Sequence, residues 1–238
     1  MRKMIFLLLA MPLFGIAQTK PVIGVDRYFP KADKVHQFEK ALAMHAQTYH
    51  KGDQKWRVYS IETGPDAGGY LVVEGPTNWD GVDKRGDLGA AHTKDFETTV
   101  QPFLTDRTST MYMTFKEELS TVQQGAYSEK ISIHHLYVKP GFVSDIPALI
   151  LLMKKVWEAD GSTIAVYEAS LSGEPQFLIV TRYKSGLKER DDVSGAMQTK
   201  FTTANGEGSW AKYLSSVKES VDHQWSELLY HKPQMDSK

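Results

Sequence analysis

The feature that most constrains the fold of this chain is a strand–helix–strand pattern that occurs twice. Residues 130–171 contain a β-rich run, then apolar residues at helical spacing, then a second β-rich run. Residues 21–62 repeat this order about 110 residues earlier. The apolar positions of the two predicted helices align at a constant offset of 111, which places His45 opposite Val156. The repetition predicts two similar lobes in one chain.

Each half continues with a hairpin, a second helix and a last strand. The predicted strands cover residues 22–29, 56–62, 70–74, 110–115, 131–138, 163–171, 177–183 and 225–230. This order, β-α-β-β-α-β, is that of the ferredoxin-like split βαβ unit, whose helices cover one face of the sheet. The other face needs a cover. We therefore expect an α+β protein with two tandem ferredoxin-like repeats, residues 18–127 and 128–238, whose antiparallel sheets pack face to face as a single-chain α/β barrel.

The connections and second helices follow from composition and spacing. Residues 76–89 are polar and contain glycine, which predicts a loop. Apolar residues at helical spacing predict the second helices, and they are Phe96, Val100 and Phe103 in the first half and Trp210, Leu214 and Val217 in the second. The longer excursion at 184–209 is a candidate lid, because long loops in compact domains are often functional.

The N-terminus has the composition of a secretory signal peptide. Arg2 and Lys3 precede an apolar run at 5–14, and Gly15 and Ala17 supply small residues at a cleavage site. The apolar run is shorter than the ~20 residues of a membrane-spanning helix. We predict that residues 1–17 are removed, that the mature protein is periplasmic or secreted, and that it keeps no membrane association.

Composition excludes several functions. Loss of Arg2 and Lys3 leaves 28 − 2 = 26 basic residues against 29 acidic ones, a net charge of −3. Such a chain lacks the basic excess that a nucleic-acid partner requires. The absence of cysteine excludes disulfides, zinc thiolates and a thiol nucleophile. Composition does not decide between a monomer and a homodimer.

Histidines are the first candidate site residues. His134 and His135 are neighbours in a strand and therefore point to opposite faces, and we expect His134, with Ser132, to face the barrel interior. His45 lies on the apolar stripe of the first helix, where an imidazole is a ligand, a base or a hydrogen-bonded core group. His50 follows at i+5, whereas helical metal pairs prefer i+4. We therefore predict no metal site.

Arg182 and Tyr183, at the end of a central strand of the second half, complete the candidates for ligand binding. Arg182 is suited to bind a carboxylate or phenolate with two hydrogen bonds, or it pairs with an acid such as Glu168. The chain contains no phosphate-binding glycine loop, no nucleophile elbow and no zinc-protease motif. Motifs therefore do not identify an activity.

The duplicated β-α-β-β-α-β order resembles the dimeric α/β-barrel superfamily in its tandem, single-chain form. That superfamily includes antibiotic-biosynthesis-type monooxygenases, haem-degrading enzymes and chlorite-dismutase-like proteins. The resemblance implies a ligand between sheet and helices or inside the barrel. Chlorite-dismutase-like proteins carry their iron-ligating histidine in the helix region of the second half, but residues 146–157 contain no histidine. Only His45 or His50 could substitute, so we expect neither haem nor another cofactor.

Three hypotheses remain open from the sequence. The first is an exported binding protein that holds a small apolar or aromatic ligand between sheet and helices. The second is a cofactor-free or haem-linked monooxygenase-like enzyme, with His134 or His45 as base and Arg182 or an aromatic residue stabilising the anion formed. The third is a repeat that only presents a surface for self-association.

Overall fold

The structure, a computed structural model, describes residues 21–86, 88–191 and 197–238. The predicted signal peptide and part of the predicted lid, residues 192–196, lie outside the described residues. The strands are β1 (Val22–Pro30), β2 (Trp56–Ile61), β3 (Tyr70–Thr77), β4 (Leu104–Phe115), β5 (Lys130–Val138), β6 (Ile164–Ser170), β7 (Gln176–Tyr183) and β8 (Val221–His231). The helices are α1 (Val35–Tyr49), α2 (Trp79–Arg85), α3 (Ala90–Asp95), α4 (Ile146–Ala159), α5 (Met197–Asn205) and α6 (Ser209–Ser220). Within these described ranges, none of the helices has the length and apolar character needed to cross a membrane.

The eight strands form one closed antiparallel barrel. Their order around the barrel is β1-β3-β2-β8-β5-β7-β6-β4, and β4 pairs with β1 to close it. The first half, β1 to β4, and the second half, β5 to β8, each contribute four adjacent strands in the same internal order. The halves join edge to edge, β2 to β8 and β4 to β6. The predicted α+β class and single-chain barrel are confirmed, whereas the origin of the halves as tandem repeats stays a prediction.

The barrel interior is filled by apolar side chains from all eight strands. Successive strand residues point alternately inward and outward, and Ile131 and Ile133 of β5 belong to the interior cluster. His135 shares their face, while His134 points outward toward the helices. The predicted inward orientation of His134 is therefore wrong. The physical reason is that the barrel interior takes Ile131 and Ile133, and His135 on the same face finds a buried partner in Glu227.

Helices cover the barrel on the outside of each half. Phe38 and Leu42 of α1 pack on the first half, and Ile146 and Ile150 of α4 pack on the second. Two details differ from the sequence prediction. The predicted loop at 76–89 contains α2, which begins where the Asn78 side chain accepts a hydrogen bond from the backbone N–H of Gly81.

The second predicted helix of the first half is also different, because α3 does not continue as a regular α-helix. It widens into a π-helical turn over Phe96–Val100 and tightens into a 3₁₀ turn over Gln101–Phe103. A π-helical turn inside a helix is frequent at functional sites. This segment packs against α1, and its helical start carries His92 and Asp95.

Candidate functional site

Helix α1 brings two histidines together at its C-terminal end. His45 lies on the buried stripe of the helix with Phe38 and Leu42. The helix ends at Tyr49, and His50 has an extended backbone with φ −96° and ψ 104°. The His50 side chain is therefore not held at a helical angle, and its Nε2 lies 3.4 Å from Nε2 of His45. The i, i+5 spacing that argued against a metal ion shared by His45 and His50 does not apply, because it assumed that the helix continues through His50.

A third imidazole, that of His92 on α3, completes the cluster. Its Nε2 lies 3.3 Å from Nε2 of His50, and one ring nitrogen of each of the three histidines lies within 4.8 Å of the others. A tetrahedral ion with bonds of ~2.05 Å to nitrogen separates its ligand atoms by ~3.3 Å. Two of the three ring pairs therefore have the spacing of ligands to one metal ion, and the third pair lies within 4.8 Å.

Carboxylates hold the outer nitrogens of two of these rings. Nδ1–H of His45 donates to Asp95 at 2.8 Å, and Nδ1–H of His50 donates to Glu74 at 3.2 Å. We assign the donors from the bonding pattern, because a carboxylate only accepts. The tautomer with hydrogen on Nδ1 leaves the lone pair of Nε2 exposed toward the other rings. Carboxylates in this outer position are a regular feature of histidine metal sites.

Glu74 is the central charged residue among the groups that surround the three imidazole rings. Burial alone would raise the pKa of its carboxyl group, but hydrogen bonds from His50, Arg85 and Trp56 outweigh burial and lower the pKa to about 2. Arg85 contributes two of these bonds, at 2.5 and 3.0 Å, and the Trp56 indole N–H donates at 2.8 Å. Glu74 is therefore an anion at neutral pH and fixes the His50 ring as a donor at Nδ1.

The rings are buried among aromatic side chains. His45 and His50 are 1% and 0% exposed, and the His50 ring stacks on Trp56 with centroids 3.6 Å apart. Burial lowers the pKa of His45, although its hydrogen bond to Asp95 acts in the opposite direction. A neutral imidazole with an available lone pair is the form that binds a metal or accepts a proton.

A cavity of about 280 Å³ opens beside the cluster, between the outer face of β1, β3 and β4 and the α3 segment. His92 and Trp56 form the wall toward the cluster, and Tyr28 and Tyr112 extend it along the strands. Asp26 also lines the cavity, where it accepts a hydrogen bond of 2.5 Å from the Thr110 hydroxyl. Burial raises the pKa of the Asp26 carboxyl group.

A second cavity of about 320 Å³ adjoins the first one. The two share Gly24, Glu74, Arg85 and Tyr112 as wall residues. The second cavity adds Lys51 and Lys84. The combined space is therefore aromatic near the histidines, whereas its outer part carries both basic residues and the acidic Asp53.

The structure separates the residues that the sequence predicted as sites. His134 lies outside the barrel and bonds Ser226 at 2.9 Å and Gln224 at 3.2 Å. Arg182 points into the barrel and Tyr183 toward the helices. The alternative pairing of Arg182 with Glu168 is wrong, because Glu168 bonds Lys116 at 2.8 Å. Of these candidates only His45 belongs to the three-histidine cluster.

Sequence reasoning missed His92, Glu74 and Asp95 and set aside His50. His92 and Asp95 are separated by three positions, which places both on one side of a helix, but the surrounding polar residues gave no signal of a buried side. Glu74 ends an otherwise apolar strand run, and this is the local signal that was available.

Comparison with known proteins gives a likeness of fold. No family model and no curated protein matches the chain. Solved structures do match over nearly the whole length. An anthrone oxidase-like protein has 14% identity, a TM-score of 0.61 and coverage of 90% of this chain and 92% of the other. A protein assigned as a monooxygenase from Fusobacterium nucleatum subsp. nucleatum has 12% identity, a TM-score of 0.55 and coverage of 88% of this chain and 91% of the other.

A variant of chlorite dismutase from Candidatus Nitrospira defluvii also matches, with 11% identity, a TM-score of 0.54 and coverage of 91% and 93%. The neighbours therefore include monooxygenase-like and chlorite-dismutase-like proteins. The predicted resemblance in fold to monooxygenase-like and chlorite-dismutase-like proteins is confirmed.

Proposed function

We propose that this chain is a metal-dependent enzyme that acts on a small aromatic molecule between the first-half sheet and its helices. One observation carries the proposal: three imidazole nitrogens converge within 4.8 Å of one another, and two of the rings donate from their outer nitrogen to a carboxylate. With hydrogen on Nδ1 of His45 and His50, two Nε2 lone pairs face each other at 3.4 Å. Two acceptors at that distance repel unless a cation or a proton lies between them.

The donor set indicates the class of metal. Three neutral imidazoles suit zinc, copper, nickel, cobalt or iron rather than magnesium or calcium, which prefer oxygen ligands. Three protein ligands leave a coordination position open, as in catalytic zinc sites. His92 lies at the wall of the 280 Å³ cavity, so we assign the open position to that side. A metal there would polarise a bound oxygen atom or lower the pKa of a bound water.

The cavity supports a small aromatic substrate with a polar group. Tyr28, Trp56, Phe96 and Tyr112 present ring surfaces, and aromatic rings pack favourably against such walls. Asp26 adds a carboxyl group to the cavity wall, and burial raises its pKa, so it keeps its proton to a higher pH than an exposed aspartate and is a candidate for exchanging a proton with the substrate. The proposal keeps the aromatic ligand of the sequence-based hypothesis and departs from the sequence-based prediction that there is no metal site.

The first experiment measures metal binding by the purified mature chain. After treatment with a chelator, the protein is titrated with Zn²⁺, Co²⁺, Ni²⁺ and Cu²⁺ by calorimetry, and the Co²⁺ complex is examined for the visible absorption of a tetrahedral ion. We expect one ion per chain. Loss of a residue that is hydrogen-bonded to a metal ligand lowers metal affinity roughly 10- to 100-fold, and we expect His92→Ala to lower it by more than this.

His223→Ala is the matched control, because His223 is exposed and bonded only to Asp222 among the described residues. Its metal affinity should equal that of the unsubstituted chain. Binding that is absent, or that depends on His223 as much as on His92, would contradict the proposal. A metal-loaded chain that turns over no aromatic substrate but shows a thermal shift with planar phenols would support a binding protein in place of an enzyme.

A second function, a metal-free monooxygenase-like reaction, is favoured by the His45–Asp95 pair. The 2.8 Å bond orients the ring, and the lowered pKa leaves Nε2 as a proton acceptor. His45 would then be the base for a phenolic substrate, as the sequence-based hypothesis stated, while His134 and Arg182 are not near it. Activity that survives complete metal removal and is lost in His45→Ala would select this function.

We also propose that the protein is exported after cleavage behind Ala17 and that it needs neither haem nor a nucleic-acid partner. The basic and apolar N-terminal sequence supports export. Mass spectrometry of the protein in a periplasmic or culture fraction gives the mature N-terminus, and absorbance of the same sample tests for haem. Retention of residues 1–17 would contradict export, and a Soret band would contradict the expected absence of haem.

A further inference from the structure

Each end of the barrel interior contains a buried arginine, but only at one end is that arginine paired with carboxylates. At the first end, Arg27 donates to Glu227 at 2.9 and 2.5 Å and to Asp66 at 2.8 Å. Glu227 also accepts a bond of 2.9 Å from His135. Burial raises the pKa of Glu227, but hydrogen bonds from Arg27 and His135 outweigh it and lower the pKa. This end is a closed network of opposite charges.

At the other end, Arg182 is 5% exposed and bonds only uncharged oxygens. It donates to the Tyr167 hydroxyl and to the backbone carbonyl of Gln123, each at 3.2 Å. Among the described residues no carboxylate lies within ion-pair distance of its guanidinium group. Burial of a charge without a counter-ion is unfavourable. The guanidinium group at this end therefore lacks the anion that Arg27 has at the other.

Arg57 adds a second cation at the same end. Its Nε is buried and makes no hydrogen bond within the described part of the chain, and its ion pair with Asp236 is long, at 3.9 Å from Nε to Oδ2. Tyr127 covers both arginines. Its ring centroid is 3.1 Å from Cζ of Arg57 and 5.8 Å from Cζ of Arg182. The ring is half exposed and separates this barrel end from solvent.

A narrow cavity leads from the two arginines into the barrel. Its volume is about 70 Å³, and its deeper walls are apolar residues such as Ile131, Ile133 and Val180. Tyr59 also lines it, and burial raises the pKa of Tyr59 to about 12, so the phenol keeps its hydrogen and is a donor. The space is about half of the ~150 Å³ cavity that holds benzene. It takes a chain of a few carbon atoms and not an aromatic ring.

We propose that this end of the barrel binds a short-chain aliphatic monocarboxylate. The carboxylate lies between Arg57 and Arg182, and the hydrocarbon chain occupies the 70 Å³ cavity. A planar carboxylate accepts two parallel bonds from guanidinium, and the apolar walls disfavour a phosphate or a dicarboxylate. The site is on the inner face of the sheet, opposite the three-histidine cluster, and it does not depend on the metal.

The experiment titrates the purified chain with acetate, butanoate and octanoate, and with butan-1-ol as the uncharged probe, by calorimetry at neutral pH. We expect butanoate to bind more tightly than acetate, because its chain fills the cavity, and more tightly than octanoate, whose chain is too long. Butan-1-ol should not bind measurably. Absence of butanoate binding up to about 10 mM, where millimolar dissociation constants are still detected, would overturn the proposal.

Arg182→Gln should weaken butanoate binding roughly 10- to 100-fold, the range for loss of a charged hydrogen bond. Arg57→Gln should also weaken butanoate binding, and this variant tests the proposal if Arg182→Gln fails to fold. Arg107→Gln is the matched control, because Arg107 is half exposed and pairs with Asp66 at the other barrel end. Equal losses in Arg57→Gln and Arg107→Gln, or equal binding of butan-1-ol and butanoate, would contradict a carboxylate site here.

Discussion

The outer faces of the two barrel halves are built on the same plan but differ in polarity. In the first half, the paired positions Trp56 and Glu74 of β2 and β3 face α1. The corresponding pair in the second half is Ile164 and Thr181 of β6 and β7. His45 of α1 likewise aligns with Val156 of α4, which is 1% exposed. The second half is therefore closed by aliphatic packing where the first half has imidazoles and a carboxylate.

This difference separates what the fold requires from what a site requires. Since Val156 and Thr181 hold the corresponding positions in the second half, the barrel does not need an imidazole at His45 or a carboxylate at Glu74 for its packing. A buried polar group is a cost to stability unless it is fully bonded. The first half bonds its polar groups to one another and leaves a cavity beside them, which is the arrangement expected of a binding or catalytic site.

The largest expected effect is that of His45→Val, which places in the first half the residue that the second half has at the corresponding position, Val156. The substitution removes one of the three proposed metal ligands, so the affinity for Zn²⁺ should fall by well over the 10- to 100-fold that is typical when a residue hydrogen-bonded to a metal ligand is lost. Valine fits the apolar stripe of α1, so the metal-free chain should still unfold cooperatively. Calorimetry measures the first quantity and thermal unfolding with a chelator the second. Unchanged zinc affinity in a folded variant would remove His45 from the site.

The next effect is on acid stability and concerns Glu74. Its pKa is lowered from 4.5 to about 2 in the folded chain, because the hydrogen bonds from His50, Arg85 and Trp56 outweigh burial. A lowered pKa stabilises the fold above pH 4.5, and this contribution is lost as the pH falls from 4.5 to 2. By linkage it amounts to about 3 kcal/mol. Glu74→Gln should therefore destabilise the metal-free chain much more at pH 7 than near pH 2.

The matched control for Glu74 is Glu168→Gln in the second half, since Glu168 makes an ion pair with Lys116 and is about one-third exposed. Exposed pairs contribute about 0–1 kcal/mol, so this variant should differ little from the parent. Denaturant unfolding at both pH values gives the two differences. Equal pH dependence of the Glu74 and Glu168 variants would mean that the first half has no special acid sensitivity.

The reciprocal exchange, Val156→His, should be smaller and should act on stability alone. The new imidazole is buried in the aliphatic layer without a carboxylate such as Asp95, and an unbonded buried polar group costs about 1–3 kcal/mol. Leu151→His on the same helix is the control, because Leu151 is exposed and its replacement should change the free energy of unfolding by about 0.5 kcal/mol or less. A Val156→His chain as stable as its parent would show that the second half also accommodates a buried imidazole.

The sequence predicted the barrel elements because they depend on local periodicity. The spacing of Phe38 and Leu42 indicated α1, and the matching spacing of Leu149 and Met153 indicated α4. The site could not be predicted in the same way. His50 joins His45 only because the chain turns away from the helix at that residue, a backbone detail that periodicity does not contain.

The remaining site residues depend on tertiary structure. His92 comes from a polar segment whose helix, α3, is short and irregular, and it meets α1 only after both pack on the sheet. The orientation of β5 was undetermined for another reason. Both of its faces carry aliphatic residues, Ile131 and Ile133 on the inner face and Leu136 and Val138 on the outer face. Alternation alone therefore left the choice between His134 and His135 open.

The smallest expected effect is that of His134→Ala, which tests whether the outer face of the second half is purely structural. His134 pairs with Ile179 of β7, as Asp26 pairs with Val72 of β3 in the first half, so the two residues hold equivalent places on the outside of the barrel. Burial lowers the pKa of His134, and at neutral pH the uncharged ring only bonds Ser226 and Gln224.

Removal of His134 should therefore cost about 0.5–1.5 kcal/mol, the contribution of a neutral hydrogen bond, and should leave zinc and phenol binding unchanged. Asp26→Ala is the informative counterpart, because Asp26 lines the cavity next to His92 and its loss should change phenol binding with little effect on zinc affinity. Denaturant unfolding and calorimetry of both variants make the test. If His134→Ala altered zinc or phenol binding as strongly as Asp26→Ala, the polar outer face of the first half could not be identified as the functional site from its difference in polarity.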